Sequence, residues 1–143
     1  MKNRFLVVVD DSAAALRAAR TAIDLASAAG ASLTVVAVVE DHLLDSQLRA
    51  AEIPDASGRR VQGALAMVRQ VAAMAAQQGI HAETEVLSGH GAEQVLAAAG
   101  RCGADLIVAA RQPRLPAGCR TRQVNLEHLL EFADIPVLVV PEG

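Results

Sequence analysis

Aromatic side chains are almost missing from this sequence. Its 143 residues include two phenylalanines, Phe5 and Phe132, and no tryptophan or tyrosine. Proteins that bind single-stranded nucleic acid stack its bases on exposed aromatic rings, so the composition argues against that function. The formal net charge of −3 also offers no overall basic field for nucleic acid or an anionic membrane. The core must be built from aliphatic side chains.

Cysteines and long apolar runs are scarce as well. Cys102 and Cys119 are too few for a disulfide framework, and we interpret them as small apolar residues. No apolar run reaches the roughly 18–20 residues of a membrane-spanning helix. The first residues show no secretory signal pattern. We therefore expect a cytoplasmic protein with a single domain over residues 1–143.

Strand-like runs alternate with helix-like segments along the whole chain. Short runs rich in valine and leucine or isoleucine predict strands, whereas a period of three to four residues predicts amphipathic helices. The predicted strands are 5–9, 33–39, 82–87 (with alternating polarity), 106–110 and 137–140, and the predicted helices are 13–29, 59–78, the segment after the turn at 89–91 up to about Gly100, and 124–133. Residues 41–58 have no clean period and predict a variable connection. This order indicates an α/β fold with a parallel sheet covered by helices on both faces.

The periodicity also predicts which helical side chains are apolar and face the core. They are Leu16, Ala19, Ile23 and Ala26 in the first helix, Leu65, Val68, Ala72 and Ala75 in the second, and Val95, Leu96 and Ala99 in the third. In the last helix the apolar residues are Leu126, Leu129 and Leu130. Ligands of such sheets bind beyond the carboxyl ends of the strands. Asp10 and the loop after Ala110 are therefore the first candidates for a site.

The acidic residues after the first predicted strand are compatible with two families, of which the first is the response-regulator receivers. A response-regulator receiver needs a phosphoacceptor aspartate at the end of a buried third strand and a lysine after the fifth. Asp55 follows no buried strand, and Lys2 is the only lysine, so this interpretation fails.

The chain resembles the universal stress protein family over nearly its whole length. The matching blocks are Val8–Ser12, Val86–Gly91 with Val95, Gly103–Val108 and Ile135–Val140. The resemblance implies an open five-stranded parallel sheet of order 3-2-1-4-5, similar to that of adenine nucleotide alpha hydrolases. It also implies a homodimer that pairs through the closing strand, at Pro136, Val137, Leu138, Val139 and Val140. An apolar strand at a sheet edge invites such pairing.

The glycine motif of the family's nucleotide-binding members is missing here. That motif is Gly-x-x-Gly, then nine residues, then Gly-Ser or Gly-Thr. Its four defined positions align with Ala110, Pro113, Gln123 and Val124 of this sequence. Glycines let the backbone approach phosphates closely. Pro113 has no N–H group, and Val124 has no hydroxyl. The sequence therefore predicts that ATP is not bound by the family's usual route and that no cofactor is needed.

A divergent adenine-nucleotide sensor, binding ATP with magnesium, is the alternative. The resemblance aligns Asp10 with the family position that contacts the nucleotide, and Val38 and Ala109 close the second and fourth predicted strands. Arginines in the altered loop could replace the backbone amides as anion ligands. They are Arg111, Arg114, Arg120 and Arg122. A solvated basic loop, and a helix-capping role for Asp10, explain the same residues without a ligand.

The sequence shows no signature of catalysis or of a metal site. The four histidines, His42, His81, His90 and His128, have no ligand spacing with each other or with cysteine. Cys119 lies among the loop arginines, which lower the pKa of a neighbouring thiol, so redox sensing stays open beside an ordinary exposed thiol. The leading hypothesis is a non-enzymatic stress-response dimer with an unknown protein partner and with neither nucleic acid nor membrane as a target.

Overall fold

The computed structural model describes residues 3–10, 13–39, 56–111 and 126–141 of the chain. Strands and helices alternate along it, as the sequence predicts. The strands are β1 (Arg4–Val8), β2 (Ser32–Val39), β3 (Ala82–Ser88), β4 (Leu106–Ala110) and β5 (Val137–Val140), and the helices are α1 (Ala13–Ala29), α2 (Ala56–Gln77), α3 (Gly91–Cys102) and α4 (Leu126–Phe132).

All neighbouring strands of the sheet are parallel, and their order is β3-β2-β1-β4-β5. This confirms the predicted fold. β1 and β4 are aligned at the amino edge of the sheet by Arg4 and Asp105. The Arg4 N–H donates to Asp105 Oδ2 at 2.9 Å, and the Asp105 N–H donates to the Arg4 carbonyl at 2.7 Å. The two central strands therefore start together, although about 100 residues separate them.

One face of the sheet is covered by α1 and α2, which together bury the first core. Small side chains dominate α1, where Ala18, Ala19 and Ala22 are fully buried. Alanine lets a helix lie close to a sheet of valines such as Val7 and Val108, which belong to the same cluster. This packing explains how a chain with so few aromatic residues fills its interior.

The other face is covered by α3 and α4, which form the second core. Leu6, Val36 and Ile107 project into it from β1, β2 and β4. Leu129 is the one buried residue of the short helix α4, and it is fully inaccessible to solvent. The position of α4 therefore depends heavily on this side chain.

Glycines in the left-handed conformation end the first three helices. Gly30 follows α1 and Gly79 follows α2, with φ of 65° and 75°. α3, predicted to end at about Gly100, continues for two further residues to Cys102. Gly103 is its C-cap, with φ of 68° and its N–H bonded to the Ala99 carbonyl. A glycine inside a helix costs some stability but does not stop it.

Several other predicted positions differ from the structure. α2 begins at Ala56 rather than at residue 59, and Leu16, Leu65 and Ala72 are half-buried. Leu96 and Leu126 are also half-buried, and both pack against the second core. β3 does not alternate in burial, because it is an edge strand on which Glu83, Thr84 and Glu85 are all exposed. Among the three apolar leucines of the last helix, Leu130 is half exposed. The predicted connection at 41–58 lies mostly outside the described residues.

Leu129→Ala should lower the free energy of unfolding by about 2–4 kcal/mol, because it leaves a cavity in the second core. Phe132→Ala, on the same helix, is the matched control. Phe132 is 56% exposed, so its loss should cost less than about 1 kcal/mol. Urea unfolding followed by circular dichroism measures both. Equal losses for the two variants would contradict the assigned packing of α4.

Candidate functional site

The carboxyl ends of β1 and β4 mark the position at which an open parallel sheet forms a crevice. The β1–β4 register ends with Val7 opposite Val108. Beyond it the two strands bond to different neighbours: the Val9 N–H donates to the Val36 carbonyl of β2, and the Arg111 N–H donates to the Val140 carbonyl of β5, at 2.9 and 2.8 Å. The strand order reverses at this point, and ligands of open parallel sheets bind at such switch points.

Asp10 and Arg111 follow the two strands that border the crevice. The β1–β4 register, continued by three residues, places them at the same level. Strand alternation also places them on the same face of the sheet, the one covered by α3 and α4. Asp10 is half-buried and Arg111 is exposed. A carboxylate and a guanidinium therefore border the two sides of one opening.

The floor of the crevice is apolar. Val38 is half-buried against the second core, and Ala109 is 6% exposed within it. The sequence predicts both residues as part of a nucleotide site. Val8 packs against the same core but was not selected, although its place two residues before Asp10 was sufficient to find it. These side chains can hold an apolar group, whereas Asp10 and Arg111 can bind hydrogen-bond donors and anions.

Ala110 belongs to β4 itself rather than to a loop. It pairs with Val140 of β5 and packs against the first core. An extended residue with its methyl group directed into a core has no left-handed backbone that would require glycine. The position that aligns with the first glycine of the family's motif is therefore an ordinary strand residue in this chain.

The remaining predicted loop residues lie outside the described part of the chain. They are Pro113, Arg114, Cys119, Arg120, Arg122, Gln123 and Val124. Within the described ranges, no group of three or more histidine, cysteine, aspartate or glutamate residues could hold a metal ion. Among those same residues, no helix is long and apolar enough to cross a membrane. Cys102 is half-buried, and its thiol donates weakly to the Ala99 carbonyl, 3.7 Å away.

The turn from β3 into α3 also lies at the carboxyl edge. Gly89 has φ of 126°, and its N–H donates to the Val39 carbonyl of β2 at 3.2 Å. A Cβ atom at this position would lie 3.0 Å from Nε2 of Gln94. The backbone conformation therefore favours glycine here, and a Cβ atom would in addition displace the end of the flexible Gln94 side chain.

Gly89→Ala should destabilise the protein by about 1–3 kcal/mol, because a strained backbone angle is combined with a close contact. Gly100→Ala is the matched control, since Gly100 lies within α3 and a Cβ there meets nothing within 4 Å. That change should instead stabilise the protein by about 0.5–1 kcal/mol. Thermal unfolding by calorimetry compares them, and a shift of the same sign for both would contradict the turn geometry.

Solved structures with the same architecture cover nearly the whole chain. The universal stress protein UspA from Lactobacillus plantarum is 25% identical, with a TM-score of 0.76 and coverage of 96% of this chain and 97% of that one. A protein of the universal stress protein family from Burkholderia pseudomallei is 28% identical, with a TM-score of 0.72 and coverage of 97% and 96%. The fold is therefore shared over the full length of both proteins.

A more distant neighbour was solved with a nucleotide. It is the universal stress protein from Archaeoglobus fulgidus in complex with dAMP, which is 17% identical, with a TM-score of 0.68 and coverage of 96% of this chain and 97% of that one. At this identity the likeness shows the fold alone. A search of curated proteins found no significant match.

The sequence itself matches a family model over almost all of its length. The model describes the universal stress protein family, and the match runs over residues 1–141. It spans both central strands, the crevice between them and the closing strand β5. The chain belongs to the universal stress protein family.

Proposed function

We propose that this chain is a non-enzymatic regulatory protein of the stress response, which acts in the cytoplasm as a homodimer and does not bind ATP through a glycine loop. The observation that carries the proposal is the end of β4. Ala110 is paired with Val140 and packed into the first core, where the family's nucleotide-binding members have the first glycine of their motif. The next motif positions are Pro113, Gln123 and Val124 in the sequence.

The physical chemistry of these residues supports the loss of the usual phosphate contacts. A phosphate cradle is made by backbone N–H groups that point at the ligand from glycine-rich turns. Proline supplies no N–H group, and a Cβ atom on the other residues keeps the backbone at a distance. A phosphate at this place would have to be bound by side chains.

An adenine-nucleotide sensor is the second candidate. It is favoured by Asp10 and Arg111, which border the crevice at the same level. A carboxylate can accept hydrogen bonds from ribose hydroxyls, and a guanidinium can bind phosphate in a bidentate manner. The dAMP complex of the Archaeoglobus fulgidus relative shows that one protein of this fold binds an adenine nucleotide.

Calorimetric titration with ATP, with and without magnesium, separates the two candidates. The leading proposal expects no saturable heat up to millimolar ATP, because the backbone cradle is lost. Asp10→Ala and Arg111→Gln test the second candidate, with the exposed Asp24→Ala and Arg69→Gln as matched controls. Micromolar binding that only the first pair abolishes would overturn the leading proposal. Weakening of that binding by salt would indicate capture by guanidinium groups.

The proposed dimer rests on the contrast between the two edges of the sheet. β3 ends one side with Glu83, Thr84 and Glu85 exposed, and charged edges resist pairing. β5 ends the other side with Val137, Leu138 and Val139, which are half-buried and carry no charge. Two copies of β5 related by a two-fold axis would pair as antiparallel strands and continue the sheet.

Val139→Arg should convert the dimer to a monomer, because it places a charge in the apolar edge. Thr84→Arg adds the same side chain to the exposed edge β3 and should leave the association unchanged. Sedimentation velocity over a range of concentrations measures both variants. A wild-type protein that is monomeric at every concentration would refute the dimer, and a Val139→Arg variant that still dimerises would refute pairing through β5.

A further inference from the structure

Leu130 is an exposed leucine on a helix whose other leucines are not. Half of Leu130 is accessible to solvent, whereas Leu129 beside it is fully buried and Leu126 is half-buried. The only large apolar residues that are more than a third exposed in the described ranges are Leu25, Leu130 and Phe132, and two of them lie on α4. A seven-residue helix thus carries most of this exposed apolar surface.

The direction of Leu130 follows from helix geometry. Successive residues of an α-helix are about 100° apart around its axis, so Leu130 projects sideways when Leu129 faces the sheet. Phe132, three residues after Leu129, projects to the opposite side. The two exposed side chains therefore lie on different flanks of α4 and do not form one patch.

The handedness of the connection from β4 to β5 determines which of the two side chains points toward β5. α4 connects β4 to β5, and parallel crossovers are right-handed. In such a unit, the residue after a sheet-facing one projects toward the second strand. Leu130 therefore points to the side of β5, at the free edge of the sheet. Phe132 points toward α3, which packs beside α4 in the second core.

Strand pairing through β5 would bring two copies of α4 together. Leu129 belongs to the same core cluster as Ile107 and Ala109 of β4 and Val137 of β5. Because α4 also connects these two strands, we place it over the boundary between them. Neighbouring strands are about 4.8 Å apart. The distance from one α4 axis to the other comprises half a spacing to β5, one spacing between the two copies of β5 and half a spacing to the second α4, about 10 Å in all. Helices pack against each other at about 8–10 Å. The flank that carries Leu130 would face its symmetry copy at contact distance.

We propose that Leu130 anchors a helix contact between two copies of this chain, beside the β5 strands. The inference rests on the proposed dimer and adds a second element, α4, to its interface. Glu127 and Glu131 are exposed and lie further round the helix toward solvent, so they form a rim in water. An apolar centre with a polar rim is the usual arrangement of protein interfaces.

Sedimentation velocity on Leu130→Ala and Leu130→Arg tests the contact. Truncation removes half-exposed apolar area from both copies, so Leu130→Ala should raise the dissociation constant of the dimer about tenfold. Leu130→Arg should leave a monomer at concentrations at which the wild type is a dimer. Phe132→Ala and Phe132→Arg are matched controls on the opposite flank, and their dissociation constants should equal that of the wild type. Circular dichroism verifies that every variant is folded.

Each outcome bears on one of the two proposals. If Val139→Arg dissociates the dimer and both Leu130 variants do not, the helix contact is wrong and strand pairing stands. If the Leu130 and Phe132 variants weaken the dimer equally, the effect is not specific to the β5 flank, and the inference again fails. If the wild type is monomeric throughout, the dimer itself is wrong. A dimer that is weakened by the Leu130 variants but not by the Phe132 variants supports the helix contact.

Discussion

The backbone hydrogen bonds of two adjacent strands decide where everything else in this molecule lies. β1 and β4 share a register up to Val7 and Val108, and beyond it Val9 bonds to β2 and Arg111 bonds to β5. The chain leaves β1 toward α1 on one face of the sheet and β4 toward α4 on the other, so the strand order reverses between them. The position of the crevice is therefore a consequence of topology and does not depend on the family's glycine motif.

Much of the fold follows from sequence patterns, because strands buried on both faces need continuous apolar runs and few other structures do. Helix ends were predicted less well. Gly100 and Gly103 are both glycines near the end of α3, and only the backbone angle shows which one is the cap. Burial on β3 could not be derived from its polarity, because an edge strand lacks a neighbour on one side. Tertiary context, rather than local propensity, decided these positions.

The candidate site was predictable where it depends on position and not on contacts. Asp10 and Arg111 were found because they follow strands, and parallel strands end at the same edge. Val8 was missed because its apolar side chain suggested only core. Helical periodicity identifies Leu130 as apolar without showing whether a neighbour covers it. That distinction needs the position of β5 and the handedness of the crossover.

The closing strand joins the crevice to the free edge of the sheet. Arg111, which borders the crevice, donates its N–H to Val140, the last residue of β5. Ala110, beside it, is paired with the same residue. The backbone that ends at the crevice thus directly supports the strand that carries the proposed dimer edge. Because the end of β4 is hydrogen-bonded to the end of β5, the crevice and the proposed dimer edge depend on one pair of strands.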